Sequence, residues 1–278
     1  MNYAQWLQHA EDHLATVCPN PHQEAMWLLE HIAHTTRARV KSDPQHPITA
    51  SETNSLEKAL TRRTTGEPLA YILEEAIFFG LALKVDPSVL VPRLETELLV
   101  EWALEQLPTY KRCHVLDLGT GSGAIALAIA HQRPNAVVVA CDQSPAALDI
   151  AEQNRNTLNL NNVTLALSSW FNALPPCQFD LIVSNPPYIE HGDSDVAPGT
   201  LKYEPHQALF ADEHGLADLR HIALHSKQWL KPKGQIALEH GYQQAEAVRQ
   251  LLEQNSFVEI SSHRDFNHHE RYTVGQVR

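Results

Sequence analysis

From about residue 95 onward, strand patterns alternate with helix patterns along this chain. Short apolar runs rich in β-branched residues predict seven strands, and runs with helical spacing lie between several of them. The predicted strands are residues 114–118, 136–141, 163–167, 180–184, 235–240, 258–261 and 271–275, and the predicted helices are residues 123–131, 145–158, 216–230 and 243–255. This alternation favours a parallel sheet with helices on both of its faces.

The last two predicted strands are an exception to the parallel pattern. The connection between them, SHRDFNHHE, is too short for the helical crossover that joins parallel neighbours, so we predict an antiparallel pair. The resulting fold class is α/β, with a doubly wound, Rossmann-like seven-stranded sheet whose last strand is antiparallel.

The first 73 residues show helical periodicity instead. Apolar residues recur near the helical period at Tyr3, Trp6, Leu7, Ala10 and Leu14, and again at Ala25, Leu28, Leu29 and Ile32. A third helix begins with the capping-box spacing of Thr49 and Glu52. Two short β-prone pieces, FFGLALKV and SVLVP, then suggest a hairpin-like connector. We therefore predict a helical domain (1–73), a β-hairpin connector (74–95) and a sheet domain (96–278).

Composition and charge exclude several classes of protein for this chain. The chain has 278 residues, 43% hydrophobic and 19% charged, as in soluble globular proteins. It has no apolar run of about 18 residues and no signal peptide, so we expect a cytoplasmic protein without membrane contact. Its four cysteines form no CxxC pair, which predicts neither a zinc site nor a disulfide framework. The net charge of −12 argues against a nucleic-acid partner.

The segment VLDLGTGSGAIALAIA places a glycine-rich turn between a predicted strand and a predicted helix. The turn consists of Gly119, Thr120, Gly121, Ser122 and Gly123. Its backbone can approach a ligand closely while free helix N–H groups point at that ligand. About twenty residues later Asp142 ends the next strand, where a carboxylate can accept hydrogen bonds from both hydroxyls of a ribose. These residues predict a nucleoside-containing cofactor at the carboxyl edge of the sheet.

An NAD-type dehydrogenase is the alternative for this cofactor site. Its dinucleotide calls for the spacing GxGxxG, which cradles a pyrophosphate, whereas this turn has the tighter spacing GxGxG. Because S-adenosylmethionine contains an adenosine but no pyrophosphate, the spacing favours S-adenosylmethionine.

The segment FDLIVSNPPYIE is the candidate substrate site. An apolar strand runs into Asn185, and Pro186 and Pro187 then fix the backbone and remove two N–H donors. The Asn185 side-chain oxygen and the Pro186 carbonyl can accept both hydrogens of an NH2 group, while Tyr188 can stack on the flat group that carries it. We therefore predict an amide or aromatic amine as substrate, with Asn185, Pro186 and Tyr188 as the catalytic residues.

Together these motifs resemble the protein-(glutamine-N5) methyltransferases that modify the Gly-Gly-Gln loop of peptide chain release factors. The resemblance covers nearly the whole chain and rests on TRRTTGEPLAYI, VDPSVLVPRLETELLVEWAL, VLDLGTGSGAIALAIA, CDQSPAALDIAEQN, SSWFNAL and SNPPYI. It implies a class I S-adenosylmethionine-dependent methyltransferase with a small N-terminal helical domain for substrate recognition. It also implies release factors as protein partners and S-adenosylhomocysteine as a product. We expect a monomer, although no sequence feature determines the oligomeric state.

The resemblance implies roles for individual residues as well. Residues 119–123 and Asp142 would bind the cofactor, and Trp170 would lie against its adenine. Asn185 would sit between cofactor and substrate, and residues 185–188 would hold the glutamine amide.

Three positions depart from the family pattern. Ser169 stands where the family usually has Asp before the Trp, which affects one polar contact to the adenine. Leu94 stands where the family has Pro in PRPETE, and Glu74 stands where Gly follows YI(L). Both of the latter positions belong to the connector region.

Two other enzymes would use the same motifs, and a non-catalytic binding module is a third alternative. A sister enzyme methylates a glutamine of a ribosomal protein, although PRLETE is closer to the release-factor branch. A DNA adenine-N6 methyltransferase clamps a flat NH2-bearing base with this kind of motif, but it needs a basic surface. A non-catalytic docking scaffold would have no need for the glycine turn, Asp142 and NPPY together.

Two further groups of polar residues have structural interpretations. Arg93, Glu95 and Glu97 are placed to reach the mouth of the site, but a solvated start of the following helix explains them equally well. The three histidines His263, His268 and His269 lie in the connection between the last two predicted strands without metal-ligand spacing, so we expect a surface loop and no metal site.

Overall fold

A computed structural model describes residues 1–174, 176–193 and 197–278 of the protein. The described residues form two compact units. One comprises Met1–Glu75 with the helix Pro198–Tyr203, and the other comprises the remaining described residues. Each unit is built around apolar clusters of its own.

The helices and strands have the following bounds. In chain order they are α1 (Tyr3–Leu14), α2 (Pro21–Ile32), α3 (Arg37–Ser42), α4 (Ala50–Thr64), α5 (Leu69–Leu73), β1 (Glu75–Phe78), β2 (Leu81–Lys84), α6 (Leu94–Gln106), β3 (Cys113–Leu118), α7 (Ala124–Gln132), β4 (Ala136–Asp142), α8 (Pro145–Thr157), β5 (Val163–Leu167), β6 (Phe179–Ser184), β7 (Ile189–Glu190), α9 (Pro198–Tyr203), β8 (Phe210–Ala211), α10 (Asp212–Gly215), α11 (Ala217–Ser226), β9 (Leu230–Glu239), α12 (Ala245–Gln254), β10 (Val258–Arg264) and β11 (Glu270–Gln276). None of the helices in this described part of the chain is both long and apolar enough to cross a membrane.

The N-terminal unit follows the apolar spacing of its sequence. The predicted apolar face of α1 is buried, and α2 and α4 contribute Leu28 and Leu56 to the same cluster. Thr49 and Glu52 form the predicted capping box at the start of α4. The short helices α3 and α5 were not predicted, because five or six residues carry too little periodic signal.

The second unit contains the predicted seven-stranded sheet. Its strand order is β10-β11-β9-β6-β3-β4-β5. Neighbours from β9 to β5 pair in parallel, and β11 pairs antiparallel with both β9 and β10. The fold class and its antiparallel last strand are therefore confirmed. Because β4 lies on one side of β3 and β6 on the other, a crevice for a ligand is expected at the carboxyl ends of these strands.

Both faces of the sheet are buried, since consecutive side chains of a strand point to opposite faces. On β3, Val115 belongs to one apolar cluster and Leu116 to the other. Helices α6 and α7 contribute to the first cluster, and α11 and α12 contribute to the second. Burial on two faces explains why the predicted strands are continuous apolar runs.

Two local predictions were wrong. The connector hairpin is present as β1 and β2, but SVLVP forms no strand, and its residues Val89 and Leu90 line the cavity described below. The helix predicted for residues 216–230 ends at Ser226, and Leu230 already begins β9. An apolar residue such as Leu230 suits a buried helix and a buried strand equally, so periodicity could not place this boundary.

The structure shows the surroundings of Glu74 and Leu94, two of the three positions that depart from the family pattern. Glu74 caps α5 in the left-handed conformation, with φ of 55°. Glycine adopts this conformation without steric cost, which accounts for Gly as the usual residue there. The side chain of Leu94, at the start of α6, is 74% exposed.

Candidate active site

A cavity opens at the carboxyl edge of the sheet, where β3, β4 and β6 end. The predicted site residues in its wall are Gly119, Thr120, Gly121, Ser122, Asp142, Trp170, Asn185 and Pro187. Gly123, Pro186 and Tyr188 are described but lie outside this wall. The structure therefore brings the glycine turn, the acidic end of β4 and the start of NPPY to one place, although they are distant in sequence.

The glycine turn has a backbone that favours glycine at three positions. Gly119, Gly121 and Gly123 have φ values of 73°, 55° and 87°, which L residues with a Cβ adopt only at a cost. The N–H groups of Gly119 and Thr120 both donate to the carbonyl of Cys141 at 2.9 Å. The turn is thus fixed against the end of β4.

Asp117, near the end of β3, holds the glycine turn by hydrogen bonds. The sequence patterns did not predict this role. Asp117 Oδ2 accepts hydrogen bonds from the Thr120 hydroxyl at 2.6 Å and from the backbone N–H of Ala126 at 3.2 Å. Its side chain is fully buried, and burial raises the pKa of Asp117 to about 7. A carboxylate within the apolar run VLDL was the signal that could have revealed this role.

Asp142 joins the turn to the cavity. Its Oδ2 accepts from the N–H of Gly121 at 2.9 Å, and its Oδ1 accepts from the N–H of Ser144 at 2.9 Å. Burial raises the pKa of Asp142, and these backbone donors oppose that rise. A carboxylate offers about four lone-pair sites, so the Asp142 side chain keeps acceptor capacity for a ligand hydroxyl.

Trp170 lies directly against the glycine turn. A Cβ placed on Gly119 would be 3.5 Å from Cζ3 of the Trp170 ring. Asp218, in the first turn of α11, lines the same cavity; burial raises its pKa, and a hydrogen bond from Trp170 opposes that rise. Ser169 is exposed and lies outside the wall. No local pattern pointed to Asp218, because it is distant in sequence.

Asn185 follows the last residue of β6, Ser184, which pairs with Leu118 beside the glycine turn. Its Nδ2 donates to the Thr96 hydroxyl at 3.1 Å. Tyr188 is held further along, where its carbonyl accepts from Gln244 Nε2 at 2.9 Å. Burial raises the pKa of the Tyr188 phenol.

The charged residues at the start of α6 are engaged within the unit. Arg93 lines the cavity and pairs with the buried Glu204 at 2.6 Å, and Glu204 also accepts from the N–H of Val91. Glu97 accepts from the N–H of Phe79 at 2.7 Å. Arg93 and Glu97 therefore have specific partners in the protein and are more than solvated charges at the start of a helix.

The histidines near the last hairpin have ordinary contacts. His263 stacks on Tyr272, with ring centroids 4.8 Å apart. Asp265 closes the hairpin by accepting from the N–H groups of Asn267 and His269. Within the described ranges, no group of three or more His, Cys, Asp or Glu side chains is arranged to hold a metal ion.

The sheet order and the glycine turn define a class I S-adenosylmethionine-dependent methyltransferase. Family models agree, since a methyltransferase small domain matches residues 95–201 and a PrmC N-terminal domain matches residues 5–73. A Pyrococcus furiosus methyltransferase shares the fold, with a TM-score of 0.55 and 15% identity over 82% of this chain and 98% of its own. A Thermus thermophilus 16S rRNA N2 G1207 methyltransferase does so with a TM-score of 0.54 and 22% identity over 73% of this chain and 50% of its own.

Curated relatives specify the family within this class. The release factor glutamine methyltransferase of Salmonella typhimurium is 42% identical over 99% of both chains. That of Escherichia coli is 40% identical over the same shares, and that of Coxiella burnetii is 42% identical over 91% of this chain and 90% of its own. The chain belongs to the release factor glutamine methyltransferase family.

Proposed function

We propose that this protein transfers the methyl group of S-adenosylmethionine to the side-chain amide nitrogen, N5, of the glutamine in the Gly-Gly-Gln motif of peptide chain release factors. Two relatives that are similar over 99% of both chains are named release factor glutamine methyltransferase. The observation that carries the proposal is the position of Asn185, which shares a cavity wall with the glycine turn and Asp142. The proposed amide clamp and the proposed nucleoside site are thereby adjacent.

The cavity wall fits S-adenosylmethionine. In this proposal residues 119–123 and Asp142 bind the cofactor, with the free lone pairs of Asp142 accepting from the ribose hydroxyls. The Trp170 ring lies beside the turn, where an adenine can pack on it. S-adenosylmethionine supplies a methyl group on a positively charged sulfur, and the carboxylates of Asp142 and Asp218 favour a cation in this cavity.

The substrate amide is proposed to bind at residues 185–188. Asn185 Oδ1 and the carbonyl of Pro186 accept the two N–H hydrogens, and the Tyr188 ring stacks on the amide plane. An amide nitrogen is a poor nucleophile, so these hydrogen bonds draw electron density toward it and align it with the methyl group. Nitrogen gains the methyl group and loses one proton to water, which leaves N5-methylglutamine and S-adenosylhomocysteine.

The N-terminal unit is proposed to recognise the release factor. Met1–Glu75 belong to a different compact unit from the residues that line the cavity. The helical cluster around Trp6, Leu28 and Leu56 belongs to that unit alone. Because the N-terminal unit has its own apolar core, it can bind the release factor as a unit distinct from the one that holds the cavity.

Two variants of Asn185 test the function. Asn185→Ala removes the acceptor, so single-turnover methylation of a release factor should fall by about 100-fold or more, as for other lost transition-state hydrogen bonds. Asn185→Asp keeps an acceptor oxygen and should retain more activity than Ala. Mass spectrometry of a release factor incubated with labelled cofactor locates the methyl group.

The exposed Asn156 provides a matched control, because Asn156→Ala makes the same change on α8 and should methylate at the wild-type rate. A ribosomal protein with a candidate glutamine serves as the competing substrate. If the wild-type enzyme leaves the release-factor glutamine unmodified, the proposed substrate is wrong. If Asn185→Ala methylates as fast as wild type, the proposed clamp is wrong.

A further inference from the structure

The side-chain amide of Asn185 must have one orientation for the proposed chemistry. Its two ends differ, because Oδ1 accepts hydrogen bonds and Nδ2 only donates them. A flip about the last side-chain bond would present an NH2 group to the substrate NH2, and two donors do not bind each other. Some contact must therefore hold Nδ2 away from the substrate.

Thr96 makes that contact. It lies in the first turn of α6, is 3% exposed, and accepts a hydrogen bond from Asn185 Nδ2 over 3.1 Å. No hydrogen bond to Asn185 Oδ1 occurs among the residues that the structure describes, so that atom is available to a ligand. The contact orders the amide with its acceptor end unoccupied.

The Thr96 hydroxyl can serve as the acceptor because it has one proton and two lone pairs. One lone pair accepts from Asn185 Nδ2 over 3.1 Å, and the proton remains for another acceptor. Glu239, at the end of β9, is 2% exposed, and Thr96 and Tyr188 are among the side chains that oppose the rise that burial causes in its pKa.

We propose that Thr96 is a positioning residue for the methyl transfer: its hydroxyl fixes the Asn185 amide so that Oδ1 faces the substrate nitrogen. This inference rests on the proposed function, because it assigns a purpose to an orientation that only the amide substrate requires. Thr96 acts through Asn185.

Three substitutions separate positioning from packing. Thr96→Val has nearly the same shape but no hydroxyl, and Thr96→Ser keeps the hydroxyl. With a release factor as substrate, Thr96→Val should lower kcat about tenfold, the effect of one lost orienting hydrogen bond, with a smaller change in the Kd for S-adenosylmethionine. Thr96→Ser should restore most of kcat. Thr96→Ala serves as the second hydroxyl-free variant if the valine variant does not fold.

A double-mutant cycle with Asn185→Ala shows whether Thr96 acts through Asn185. Once the Asn185 amide is gone, Thr96→Val should reduce single-turnover methylation by less than about twofold, well inside the tenfold single-variant effect. An equal loss in both backgrounds would overturn the proposal, since it would mean that Thr96 acts by packing or on the cofactor. A wild-type kcat in Thr96→Val would overturn it as well.

A measurement without turnover distinguishes this proposal from the proposed function. The side-chain NH2 of Asn185 gives a pair of ¹H–¹⁵N correlations, assigned by their loss in Asn185→Ala. The pair should keep its position in Thr96→Ser and shift in Thr96→Val. If the pair does not move in Thr96→Val, Thr96 does not hold the amide, whichever substrate is methylated. If it moves but the wild-type enzyme leaves release factors unmodified, only the proposed substrate fails.

Discussion

Replacing Asp142 by alanine should weaken the binding of S-adenosylmethionine without unfolding the protein. The carboxylate uses one oxygen for Gly121 N–H and the other for Ser144 N–H, and each oxygen has capacity for a ribose hydroxyl. Losing ligand hydrogen bonds to a charged acceptor costs roughly 1.5–3 kcal/mol. This corresponds to a roughly 10- to 150-fold increase in Kd.

Asp142→Ala should also weaken cofactor binding indirectly, by removing a hydrogen bond that holds the glycine turn. Gly121 N–H loses its partner in Asp142→Ala, which loosens a turn that has positive φ at three glycines. Disorder of the turn adds to the loss of affinity, so the upper part of the range is expected. Asp142→Asn keeps an acceptor for Ser144 but places an NH2 group against Gly121 N–H, so its affinity should also fall below that of wild type.

Isothermal titration calorimetry with S-adenosylmethionine measures the effect. Asp149→Ala is the matched control, because Asp149 is exposed on α8 and its loss changes the net charge equally. The control should bind as tightly as wild type. Equal affinity of Asp142→Ala and Asp149→Ala would refute the assignment of Asp142 to the ribose.

Two further predictions concern the domains and the buried carboxylate. Deleting residues 1–73 should impair methylation of the intact release factor more than binding of S-adenosylmethionine by calorimetry, and equal losses would indicate that the deletion unfolds the enzyme. Burial raises the pKa of Glu239 from 4.5 to about 7. Below about pH 4.5 the side chain is neutral in the folded and the unfolded protein, and the folded state is not penalised. As the pH rises from 4.5 through 7, the burial of a charged carboxylate lowers the free energy of unfolding. The melting temperature of Glu239→Gln relative to wild type should therefore be more favourable at pH 8 than at pH 5, and a pH-independent difference would contradict this.

Local sequence was sufficient wherever neighbouring residues carry the information. Short continuous apolar runs located the seven strands. The short link before β11 predicted its antiparallel pairing with β10, because the length of a connection limits its geometry. The glycine spacing, Asp142 and Asn185 were recognisable because backbone conformation and donor–acceptor chemistry are encoded residue by residue.

Contacts between distant segments could be known only from the tertiary structure. Asp117 lies under the glycine turn, Asp218 reaches Trp170 from α11, and Thr96 meets Asn185 although 89 residues separate them. Each partner lies in a segment whose local pattern is satisfied by a plain helix or strand, so its sequence shows no sign of the contact. The sheet brings the carboxyl ends of β3, β4 and β6 together, and α6 and α11 pack on its opposite faces. This arrangement decides which of these side chains meet.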